Sequence, residues 1–100
     1  MLHIVNQSPF ERDSLASCLT LSLPGAGILL IEDAVVAVRT GSRVAEDLLA
    51  AMTDRHIYAL GPDLDARGIA RDTILPGIRC VDYAGFVQLT TEHNTLQSWL

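Results

Sequence analysis

Short, nearly unbroken apolar runs recur along the chain at Leu2–Val5, Ile28–Ile31, His56–Leu60 and Ile78–Val81. None shows the clean alternation of a strand with one wet face. Each is therefore expected to be a strand buried on both faces of a parallel sheet. Helical spacing fills the gaps between them. "SPFE" matches a capping box, with Ser8 at the cap, Pro9 at the first helical position and Glu11 three residues after the cap; a later start at Asp13 or Ser14 also fits. Pro24-Gly25 ends this helix, and Gly25-Ala26-Gly27 turns the chain into the second strand. "AVVAVRTGS" predicts a short helix or half-turn closed by Gly41. In "SRVAEDLLAAMTD" the residues Val44, Leu48, Ala51 and Met52 share a helix face, with Ser42 as its cap. "GPDLDARGIARD" suits a short helix or turn ended by Gly68. The last element, "DYAGFVQLTTEHNTLQSWL", places Phe86, Leu89, Thr90 and His93 on one helical stripe that turns polar toward its end.

Strands alternating with helices over 100 residues predict a single α/β domain, built on a small parallel sheet with helices on both faces. A domain this small has few helices with which to cover a sheet. Sheet edges or helix faces are left exposed, and with 49% apolar residues some of that surface is expected to close against other subunits.

Composition removes several function classes. The chain carries a net charge of −5, with seven arginines and no lysine. An acidic chain without a basic run is a poor direct ligand for nucleic acid. Without lysine there is no P-loop lysine, no Schiff base and no lysine general base. The most apolar stretch, "GILLIEDAVVAV", is interrupted by Glu32 and Asp33 and falls short of a membrane span. The N-terminus lacks the basic-then-apolar layout of a signal peptide, so a cytoplasmic location is expected. The two cysteines are too far apart in sequence for a CxxC motif and too few for a disulfide framework.

No strong catalytic motif is present, and none asks for a cofactor or a metal. Gly25-Ala26-Gly27 precedes a strand instead of following one and lacks the third glycine of a dinucleotide site. His3, His56 and His93 are scattered. "IED", "GPD" and "VDY" end three successive strands. They bring Glu32, Asp33, Asp63 and Asp82 to the carboxyl edge of the sheet, where open α/β proteins bind ligands. Helix capping explains the same carboxylates. Cys18 shares a helix face with Leu15 and Leu19, which points to burial. A helix starting at Ser14 would bring it near the first turn, within reach of help from Arg12 for a thiolate. Cys80, between Arg79 and Val81, reads as a buried strand residue.

Taken together, "MLHIVNQSPFERDSLASCL", "LLIEDAV", "IYALGPDLDARGI" and "VDYAGFVQLTTEHNTLQSWL" resemble the DsrH/TusB family over essentially the whole chain, residues 1–100. The resemblance implies a DsrE-like (flavodoxin-like) fold and a cytoplasmic heterohexamer with DsrE-like and DsrF-like subunits. In it, sulfur travels as cysteine persulfide toward a DsrC-like carrier. It also implies that the main acceptor cysteine belongs to a partner, with Cys18 as a secondary thiol site. The cysteine in the first helix matches the DsrH branch, linked to sulfur oxidation. The TusB branch is linked to thiolation of the tRNA wobble uridine. A structural subunit with an inert cysteine is the rival expectation. Ala34 departs from the family, which often has glycine there.

Overall fold

The computed structural model describes residues 1–99. The chain runs β1 (Leu2–Val5), α1 (Ser14–Leu21), β2 (Gly27–Leu30), a 3-10 segment (Glu32–Val38), α2 (Ala45–Ala51) and β3 (His56–Leu60). It continues through α3 (Gly61–Ala66), a 3-10 turn (Arg71–Thr73), β4 (Arg79–Val81), α4 (Tyr83–Glu92) and β5 (Leu96–Trp99). All strands pair in parallel, in the order β4-β3-β2-β1-β5.

This order dictates the layers. From β1 to β4 each step moves the same way across the sheet, and right-handed crossovers place α1, α2 and α3 on one face. The step from β4 back to β5 crosses in the opposite direction, so the same handedness puts α4 on the other face. The two cores are unequal. Among the described residues, seventeen buried ones, including Val5, Leu15, Ile28, Leu30, Leu48, Ile57 and Leu64, form the cluster on the α1 side. On the α4 side, among the described residues, only Leu2, Leu29 and Leu89 are buried in the cluster, and Ile4, Ile31, Tyr58, Val81 and Phe86 are half-covered. Gly27 lets α4 lie close to the sheet: a Cβ there would come within 3.1 Å of Leu2 Cδ1 and 3.3 Å of His93 Nε2.

Several expectations need correction. Ser8 caps a separate turn, its Oγ accepting the Phe10 N–H at 3.2 Å and its carbonyl accepting from Glu11 and Arg12. Asp13 then breaks the helical path with a ψ of 5°, and α1 begins at Ser14. Ser42 does not cap α2: its hydroxyl donates to the Ala37 carbonyl at 2.9 Å, and the helix starts at Ala45. The final segment is a helix followed by a fifth strand. Its Leu96, Gln97 and Ser98 are exposed on the sheet edge, and with Gln97 and Ser98 polar the strand carries no continuous apolar run.

Candidate functional site

The carboxyl ends of β2, β3 and β4 gather the carboxylates expected there, but mostly as structural ties. Glu32 follows β2 with a φ of 50°, a left-handed conformation that costs a non-glycine residue about 1–2 kcal/mol. It is held by its N–H, which donates to Asp63 Oδ2 at 2.6 Å. Asp33 pairs with Arg67 at 2.8 Å, and Arg67 also donates to the Asp63 carbonyl. Asp82 caps α4, accepting the Gly85 N–H at 2.8 Å. Capping and cross-loop bonds thus occupy Asp33, Asp63 and Asp82. Ala34 is buried inside the 3-10 segment, so the turn after β2 puts its left-handed residue at position 32 and needs no glycine at 34.

Beside this edge lies an open cleft of about 590 Å³, lined by Gly61, Pro62, Asp65, Arg71, Cys80 and residues at the start of α4. Arg71 crosses it, bonding to Asp65 at 3.1 Å and donating to the Gly61 carbonyl at 3.3 Å. Gly61 leaves room for this approach: a Cβ there would stand 2.9 Å from Arg71 Nη2, and the guanidinium would have to shift. Cys80 is exposed here, not buried as expected. β4 is three residues long and, among the described residues, pairs with β3 alone, so no strand flanks its outer side. The exposed Arg79 beside it was the available signal, since charged residues mark edge strands. The lining includes no histidine to serve as a base for the thiol.

Cys18 has the opposite environment. It is the fifth residue of α1, faces the larger core with Leu15 and is wholly buried. Burial pushes its thiol up to about 12, with the Arg55 guanidinium pulling the other way. Arg55, not Arg12, is therefore the cation that senses this thiol. It is anchored at the end of α1 by the Leu19 carbonyl and by Ser22 Oγ at 2.8 Å. Cys18 and Cys80 are both free thiols. Of the histidines, His3 is buried, His93 packs over Gly27 and His56 is exposed. Among the described residues no three His, Cys, Asp or Glu side chains cluster as metal ligands, and no helix is long and apolar enough to cross a membrane.

Residues 7–96 match the profile of the family described as DsrH like protein. The chain belongs to this family. Protein TusB of Shigella flexneri is 39% identical over 99 residues, which covers 99% of this chain and 100% of that protein. Protein TusB of Pectobacterium parmentieri is 35% identical with the same coverage. The crystal structure of the ychN protein from E. coli superimposes with a TM-score of 0.78 at 22% identity, covering 97% of each chain. MTH1491, a protein of unknown function from Methanobacterium thermoautotrophicum, also gives a TM-score of 0.78, at 17% identity over 97% of this chain and 95% of its own. These two structures bear out the fold: a DsrH-family chain built as a parallel α/β sheet with helices on both faces.

Proposed function

We propose that this chain is a subunit of a cytoplasmic sulfur-relay complex, assembled with DsrE-like and DsrF-like subunits as a heterohexamer and serving a DsrC-like carrier. Its own part is structural, and the acceptor thiol of the relay sits on a partner. The observation that carries this reading is the environment of Cys18, wholly buried and with its thiol pushed up to about 12. Exchange with a persulfide needs a thiolate and access to sulfur, and both are suppressed in a packed core. Family membership and the full-length likeness to proteins named TusB support the relay context.

A second reading keeps Cys18 as a secondary persulfide site. It draws on Arg55, whose charge favours a thiolate at Cys18. In that case α1 must lift from the core during transfer. Two pathways use such subunits. The DsrH name of the family favours persulfide relay in oxidative sulfur metabolism, and the TusB relatives favour 2-thiolation of the tRNA wobble uridine. Sulfite reductase genes beside this gene would favour the first.

Reconstitution tests the structural role. Sulfur transfer from a loaded DsrE-like partner to a DsrC-like carrier is measured with the wild-type chain, with Cys18→Ala and with the chain omitted. The structural role predicts unchanged transfer for Cys18→Ala and loss on omission. Loss of transfer with Cys18→Ala in an intact assembly contradicts it.

A further inference from the structure

β5 is an edge strand and, among the described residues, is hydrogen-bonded to the sheet through β1 alone. At its end a side-chain bond spans the pair: Trp99 Nε1–H donates to His3 Nδ1 at 3.0 Å, with the ring centroids 6.0 Å apart. His3 is 5% exposed, while Trp99 is half-buried against the larger core. Both rings line a cavity of about 500 Å³ between the end of α1 and β5, together with Leu21, Leu23 and Gln97.

The chemistry of this bond is selective. An indole N–H only donates, so His3 Nδ1 must present a lone pair and Nε2 must carry the proton. Of the three imidazole states only the neutral Nε2–H tautomer makes the contact. Imidazolium would set an Nδ1–H against the indole N–H, donor against donor, inside a buried site.

Among the described residues, the groups around the ring give a cation little help. On its own strand the nearest charge is the N-terminal ammonium, which is also positive. The end of α1 and the turn after it contribute Leu21, Leu23, Pro24, Gly25 and Ala26, and the charges near that end are Arg55 and Asp54, which pair with each other at 3.0 Å. β5 presents the neutral Gln97 and Trp99. On β2, Ile28 is paired with His3, and His93 lies over Gly27 at the end of α4. Among the described residues no carboxylate lines the cavity. Burial first, and the ammonium second, hold His3 below its ordinary value of 6.5.

We propose that His3 and Trp99 form a proton-operated latch on the β5 edge, closed while His3 is neutral and released when the ring is protonated. Release turns the indole out of the core and opens the cavity between α1 and β5.

Trp99 is the sole tryptophan, so its emission maximum reports the latch directly. The full chain is titrated from about pH 8 to about pH 4, with helix content followed in parallel by circular dichroism. The latch predicts a reversible red shift with its midpoint below 6.5, before helix content is lost. His3→Gln keeps an acceptor and cannot titrate, so its shift disappears; His56→Gln and His93→Gln keep the wild-type midpoint. A shift that survives in His3→Gln, or no shift before global unfolding, overturns the proposal. If His3→Gln does not fold, nitrogen NMR of the wild-type imidazole decides. An unprotonated Nδ1 at neutral pH that gains its proton along with the emission shift supports the latch, and an Nδ1–H tautomer at neutral pH refutes it.

Discussion

Cys18 lies on α1, beneath a helix layer and against the larger core, with none of its surface exposed; Cys80 lies on the three-residue edge strand β4 and opens onto a cleft. By sequence both are expected to be buried, Cys18 on a helix face with Leu15 and Leu19 and Cys80 inside a strand. What separates them is topology. α1 has the sheet on one side and α2 packed beside it, so the Cys18 side of the helix has no route to water. β4 has a partner strand on one side only. A thiol's access is thus set by how many elements flank its own, more than by the residues next to it in sequence.

The sharpest way to break this comparison is thiol labelling of the folded chain. Cys80 reacts directly, whereas Cys18 reacts only through opening of α1. If that opening costs about 5 kcal/mol, Cys18 is slower by roughly three to four orders of magnitude. Comparable rates in the folded protein would show that α1 does not seal its thiol. Hollowing the core that holds Cys18 comes next. Leu48→Ala is expected to lower stability by about 2–5 kcal/mol in denaturant melts and to speed Cys18 labelling while leaving Cys80 unaffected.

Smaller effects sharpen the contrast. Cys18→Ser puts a hydroxyl in an apolar site and costs about 1–3 kcal/mol, whereas Cys80→Ser stays within about 0.5 kcal/mol. Equal costs would mean that the two sites are equally accommodating. Cys18 also gives an alkaline signature. Its folded value is raised from 9.0 to about 12, so above pH 9 the unfolded chain releases the proton first and stability falls as pH rises. The slope approaches about 1.4 kcal/mol per pH unit at most and vanishes in Cys18→Ala. At the β4 end, Asp82→Ala removes the α4 cap and costs about 1 kcal/mol, without changing Cys18 labelling.

Much of the fold was legible in the chain. β1 and β3 stand within their expected bounds, β2 and β4 within a residue or so; the inner strand β2, with a strand on each side and helices over both faces, is buried and apolar throughout. β5 was not legible, because an edge strand exposing Gln97 and Ser98 leaves no such run. Ser8 misled for a different reason. Its capping pattern is real but closes one turn, and the break at Asp13 comes from backbone torsion that composition does not encode. At the site, the burial of Cys18 followed from helix spacing with Leu15 and Leu19. The exposure of Cys80 required knowing that β4 is an edge, which depends on strand order. The Trp99–His3 bond joins residues 96 positions apart, beyond any local pattern.

The central claim, that this subunit shapes a relay without carrying its sulfur, is tested most directly by intact mass. The purified complex is loaded with a sulfur donor and each subunit is weighed. The account predicts a gain of one sulfur atom on a partner and none on this chain. A gain on this chain, whether lost in Cys18→Ser or in Cys80→Ser, would contradict it.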